Sequence, residues 1–80
     1  MSVDGFTVLS LERERENGDD LFTLEVFLEA EDSAIPFVEK YEKGETVTLQ
    51  YQGETYTCRI ISLSIRKEFW TRLSMVLRNV

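Results

Sequence analysis

The 80-residue chain has no histidine, one cysteine (Cys58), one proline (Pro36) and four glycines. Each scarcity excludes something. Without histidine, the commonest general base and the commonest metal ligand are missing. A single cysteine builds neither an internal disulfide framework nor a multi-cysteine metal site. The glycines at 5, 18, 44 and 53 are isolated, so no glycine-rich loop cradles a phosphate and no low-complexity chain is present. No stretch approaches the roughly 18 apolar residues of a membrane span. Met1-Ser2-Val3-Asp4-Gly5 carries no basic region and no apolar run, and neither end shows a lipidation pattern. The expectation is a chain that is cytoplasmic where it is made and has no membrane partner.

What is present belongs to a folded domain. Hydrophobic residues make up 42%, aromatics 11% and charged residues 30%, too rich in core formers for a disordered chain. The length allows a single domain over 1–80 with a small core. The net charge of −6 argues against a nucleic-acid partner, because phosphates repel an acidic surface.

Period-two alternation predicts strands almost throughout. The first run spans Gly5 to about Arg15 and the second Leu21 to about Glu29, joined at Asn17-Gly18, a strong hairpin signal. A two-residue turn there pairs Leu11 with Leu24, Leu9 with Val26 and Thr7 with Leu28, which keeps the apolar residues on one face; a four-residue loop through Asp20 shifts the pairing by two and keeps the same faces, whereas a three-residue loop would put Glu12 opposite Leu24. At the end of the first run, Glu12-Arg13-Glu14-Arg15-Glu16 has no apolar face and reads as a solvated hairpin tip or, alternatively, as a charged arm that docks on a neighbour. Residues 31–44 break the alternation. Asp32 and Ser33 can cap a helix, Pro36 suits a first turn and Gly44 a stop, which would put Ile35, Val38 and Tyr41 near one face. An extended crossover is the alternative, since the residue before a proline avoids helical geometry.

The second half predicts three more strands. Gln52-Gly53 turns the chain, with Leu49 facing Tyr56 and Val47 facing Cys58. A tight turn near Lys67-Glu68 sets Arg66 opposite Phe69, Ile60 opposite Met75 and Cys58 opposite Leu77. The predicted fold is all-β: a small five-stranded antiparallel barrel or roll, of Src-homology-like (SH3-like) or OB-like shape, with room for one short helix between the second and third strands.

Two features of the pattern point to surfaces. In the last hairpin, Tyr56, Cys58, Ile60, Leu73, Met75 and Leu77 share one face, while Ile61, Leu63, Ile65, Trp70 and Val76 share the other. A half-exposed sheet should be apolar on one side only. The second face, rimmed by Arg66, Arg72 and Arg78, therefore reads either as covered by residues 33–43 or as an interface with another protein chain. Charge is also segregated. Residues 1–32 carry a net −8, residues 33–54 a net −2 and residues 55–80 a net +4. Such halves either pair within one molecule or join protomers head to tail. The acids Glu12, Glu14, Glu16, Asp19 and Asp20 form a candidate acidic surface, usable by an inhibitor that imitates nucleic acid.

Chemistry finds little support. Asp19-Asp20 and Glu29/Glu31/Asp32 lack calcium-loop spacing. Cys58 alternates with Tyr56 and Ile60 and reads as a core thiol. The expectation is a protein that is not an enzyme, with no catalytic residues, no cofactor and no metal.

Lys43-Gly44-Glu45-Thr46-Val47-Thr48-Leu49, then Tyr51-Gln52-Gly53-Glu54-Thr55-Tyr56 and Arg59-Ile60-Ile61-Ser62-Leu63, resembles the hairpin of small β-barrel domains in bacteriophage tail, baseplate and head–tail assemblies. The resemblance covers about a quarter of the chain. It implies a virion-associated structural part acting through surfaces, with protein partners: virion subunits or further copies of itself. It carries over no catalytic residues.

Overall fold

In the computed structural model, which describes residues 1–80, three hairpins close through the same kind of turn. Asp4-Gly5, Asn17-Gly18 and Gln52-Gly53 each take positive φ at both residues, as a type I′ turn requires. The first of these adds a strand. β1 (Ser2–Val3) turns back into β2 (Phe6–Glu16), with Val3 opposite Phe6. Asp-Gly is as strong a signal as Asn-Gly, but only three residues precede it, too few to display an alternation. β3 (Asp19–Leu28) follows. A 3-10 turn (Glu31–Ala34) then runs into α1 (Ile35–Lys43), which Gly44 ends in left-handed geometry. β4 (Thr46–Tyr51), β5 (Glu54–Lys67) and β6 (Thr71–Asn79) complete the chain.

The strands form a closed antiparallel barrel in the order β1-β2-β3-β6-β5-β4, and the two-residue β1 joins β2 to β4. The barrel thus has six strands rather than the expected five. Its helical segment lies between β3 and β4, where the sequence left a choice between helix and crossover. The buried helix face differs from expectation. Ala34 and Phe37 are buried, while Ile35 and Tyr41 are exposed. The 3-10 turn lays α1 across an open end of the barrel, and Phe37 packs edge-on against Phe6 with centroids 5.5 Å apart. No helix is long and apolar enough to cross a membrane.

Two β-bulges alter the expected registers. Leu11 does oppose Leu24, but the ladder shifts between Val8 and Ser10, so Val8 rather than Leu9 opposes Val26. Leu9 becomes the extra residue and is exposed, while Val8 is buried. In the last hairpin the connection is a three-residue loop, Glu68–Trp70, with Lys67 opposite Thr71. Arg66 therefore opposes Arg72, Ile60 opposes Leu77 and Cys58 opposes Asn79, correcting the expected pairs. A second shift falls between Ile60 and Ser62, with Ile61 as the extra residue.

That bulge resolves the two apolar faces. Past Ile61 the inward parity of β5 switches from even to odd residues. Leu63 then opposes Met75 and Ile65 opposes Leu73, both on the core side. Of what read as a second apolar face, Leu63 and Ile65 therefore belong to the first, displaced by one residue, while Ile61, Trp70 and Val76 do not. Fifteen buried apolar residues fill the barrel, with Phe22, Leu24, Val26 and Leu28 of β3 at its centre.

Candidate interaction surface

The end of the barrel that α1 covers also carries the β5–β6 loop, since Leu28, Thr71 and Lys67 are neighbours across three strands. In this loop Phe69 is 97% exposed and Trp70 50% exposed. The loop is short and closed by its flanking strands, and the Glu68 N–H donates to the Trp70 carbonyl at 3.3 Å. Trp70 has an intramolecular neighbour, the Arg72 guanidinium, 6.0 Å from its ring centroid. Arg72 is itself held by Glu25 and Glu68, at 3.4 Å each. Burying a phenylalanine ring is worth about 1.5–3 kcal/mol, and Phe69 forgoes nearly all of it in the free chain.

Beside the loop, Ile65 of β5 and Ile35 and Val38 of α1 line a shallow recess edged by Glu31, Asp32 and Glu39. An ion pair between Lys67 and Glu31 ties the 3-10 turn to the end of β5. Ile35, Ile65, Phe69 and Trp70 thus leave exposed apolar surface at one end of the molecule, with charged residues around it. Aromatic anchors with a polar rim are the usual make-up of a protein-docking surface.

The expected interface residues do not form one patch. Ile65 and Trp70 meet at this end, with Arg66 and Arg72 nearby on the outer wall. Leu63 packs inward against the core. Val76 lies on the outer wall between Thr23 and Ser62. Ile61 borders a recess at the opposite end with Arg59 and Arg78. The cause is the bulge, which separates residues that an unbroken alternation would align. Sequence reading missed Ile35 and Phe69 as surface residues. The available signal for Phe69 was its position in a connection without glycine or asparagine, where a longer loop was open.

The acids divide as well. Glu12 and Glu14 oppose Thr23 and Leu21 on the outer wall, and Glu16 opposes Asp19 at the turn. Asp20 points the other way and is only 9% exposed, so it is not part of an acidic surface. Arg13 holds it at 2.9 Å and Arg15 reaches it at 3.5 Å. The Arg13 guanidinium also sits 5.7 Å from the Phe22 ring centroid and 5.5 Å from that of Tyr56. The hydrogen bond from Arg13 holds the Asp20 carboxyl below its ordinary range, and the charges of Arg13 and Arg15 add to this against the opposing effect of burial. The same bond raises the Arg13 guanidinium. So the Glu-Arg alternation is not a solvated tip on both sides. Arg13 covers the barrel end while Arg15 stays largely in water, and the parity of Asp20 with Phe22 and Leu24 was the signal for it.

Burial pushes the Cys58 thiol up to about 11, with Asp20 adding to the effect, so it stays protonated at neutral pH within the core. Every buried side-chain polar atom has a hydrogen-bond partner, so none is left aimed into a recess for a ligand to satisfy. No group of three or more Cys, Asp and Glu side chains is placed to hold a metal ion. The chain matches no protein family, no curated protein and no solved structure.

Proposed function

We propose that this chain is a non-enzymatic interaction module that docks onto a protein partner through the helix-covered end of its barrel. The observation that carries this reading is the exposure of Phe69 on a loop closed by its own hairpin. A ring held in water by a short loop is pre-organised, so a partner gains its burial with little ordering cost. Trp70, Ile35 and Ile65 extend the contact, and Arg66 and Arg72 stand at its edge. The assembly we favour is a phage-like particle, with the chain as a tail, neck or head-decoration part. The hairpin resemblance over residues 43–63 supports it, and those residues build β4 and much of β5, away from the docking loop. The barrel of this reading is of the Src-homology-like or OB-like kind.

Co-expression with the particle's other subunits, followed by sedimentation, tests this. Wild-type chain should enter the particles, while Phe69→Ser and Trp70→Asp should stay in the supernatant with unchanged thermal melts. Incorporation of both variants at wild-type levels would refute the docking end. Unfolding of Phe69→Ser would place that ring in the core and refute it as well.

A second reading has its own support. Glu12 and Glu14 face outward without ion partners, while Arg13 and Arg15 are both paired with Asp20. That leaves an acidic strip for an inhibitor of a basic, nucleic-acid-binding enzyme. Reversing Glu12 and Glu14 to lysine should then abolish inhibition, whereas Phe69→Ser should not.

A further inference from the structure

β1 closes the barrel over a short stretch only. It pairs with β2 at Phe6 and Thr7, whereas β2 continues to Glu16. From Ser10 onward β2 has β3 on one side and no strand on the other. The matching open stretch of β5, past Arg59, has α1 beside it. β2 has no such cover, and Glu12–Glu16 are all exposed. Glu16 and Asp19 flank a two-residue type I′ turn and so exchange both backbone hydrogen bonds. The ladder runs from there to Ser10 without a shift. Glu14 and Glu12 therefore bond β3 as well, while Arg15, Arg13 and Leu11 turn their N–H and C=O groups to the open side. No backbone or side-chain group elsewhere in the chain bonds them. Such a row is a template for one more strand. Glu12, Glu14 and Glu16 stand along the same row without a basic partner, and they decide what can pair. A second copy offering its own β2 antiparallel would set glutamate against glutamate and arginine against arginine, so the edge rejects itself.

We propose that this edge of β2 binds an extended segment of another protein, antiparallel to β2, with Lys or Arg at every second position. The segment continues the line of β1 beyond Met1, whose carbonyl accepts the Val8 N–H. Its residues opposite Leu11, Arg13 and Arg15 exchange backbone hydrogen bonds with them. Its residues opposite Glu12 and Glu14 fall at the non-hydrogen-bonded positions, where facing side chains come closest, with Cα atoms about 4.5 Å apart. Basic side chains there pair with the two glutamates on the outer face. The intervening residues lie on the inner face, beside the half-buried Leu11 and the arginines that Asp20 holds. Apolar β-branched side chains suit those places, because cations would meet Arg13 and Arg15. β3 already orders the edge, so binding orders the segment alone. The site does not rest on the Phe69 loop, which lies at the other end of the barrel. It also differs from an acidic strip that acts by charge alone, because a folded basic surface would leave the backbone groups of β2 unpaired.

Titration of the full chain with an acetylated Lys-Val-Lys-Val-Lys-Val peptide, read by NMR and amide hydrogen exchange, tests the proposal. In the free chain the Arg13 and Arg15 amides should exchange fast and the Glu12 and Glu14 amides slowly. Bound peptide should slow Arg13 and Arg15 at least about tenfold. Methylating the valine backbone nitrogens, which face β2, should weaken binding at least about tenfold, whereas methylating the lysine ones should change it about twofold at most. Arg15→Pro removes one outward donor and leaves the β3 ladder whole, so it should weaken binding at least about fivefold with the fold intact by circular dichroism. Glu12→Gln with Glu14→Gln should weaken it about tenfold, and about 1 M salt should shrink that difference. Phe69→Ser should bind the peptide as wild type does, which separates this edge from the docking loop. Equal affinity for the valine-methylated peptide would overturn the proposal and leave the acidic strip acting by charge alone. Slow exchange of the Arg13 and Arg15 amides in the free chain would overturn it too, as would no binding at about 1 mM peptide.

Discussion

The two ends of the barrel are closed by different chemistry. At the helix end the seal is apolar: Ala34 and Phe37 of the helical segment are inserted, and Phe37 meets Phe6. At the other end it is ionic and aromatic. Arg13 lies by Phe22 and Tyr56, grips Asp20, and has Tyr51 behind it against Phe22. The apolar seal gains from removing surface from water and is indifferent to pH. The ionic seal must offset the desolvation of two charges by pairing them, so its contribution depends on protonation and on both partners being present. The difference also places function. The helix end spends Phe37 and Phe6 on the seal, while Ile35 and Ile65 lie outside it beside the Phe69 loop.

The comparison can be broken most decisively at Phe37. Phe37→Ala should cost about 3–5 kcal/mol in urea denaturation, a large share of the stability of an 80-residue domain, and equally at pH 7 and pH 4. Asp20→Asn should cost less and should be the pH-dependent change. The folded carboxyl titrates below its ordinary 3.8, so its contribution is complete above that value and is lost as pH falls through the folded one. The gap between wild type and Asp20→Asn in urea midpoint should therefore hold at neutral pH and close below about pH 4; a pH-independent gap would mean the pair does not seal the end. Replacing both partners, Arg13→Met with Asp20→Leu, should cost less than either single change, since no unpaired charge is left. Additive losses in that double-mutant cycle would show two independent residues. Smallest of all, Phe69→Ser should leave stability within about 0.5 kcal/mol, as for a side chain that touches nothing.

Much of the fold was legible where the determinants are local. The turns at Asn17-Gly18 and Gln52-Gly53 set the pairs Leu11–Leu24, Leu49–Tyr56 and Val47–Cys58 as expected. Accuracy decays with distance from the turn. Leu9 failed once a bulge intervened, and the last hairpin, lacking a turn signature, slipped by the length of its loop. Of the candidate surface, Ile65 and Trp70 were in view, while Leu63 was assigned to the wrong side of the same bulge. Asp20 was counted as a surface acid because two neighbouring aspartates in a turn look alike, although only one shares the inward parity of β3.

Five of the six strands, the turns at Asn17-Gly18 and Gln52-Gly53 and the segregation of charge follow from the amino-acid sequence, because each depends on a few adjacent residues. Only the tertiary structure decided that β1 closes the barrel, that Leu9 and Ile61 bulge outward, and that Arg13 turns inward while Glu12 and Glu14 do not. Closure requires strands to bend at points set by neighbours far along the chain, and every side chain beyond a bend changes face with it.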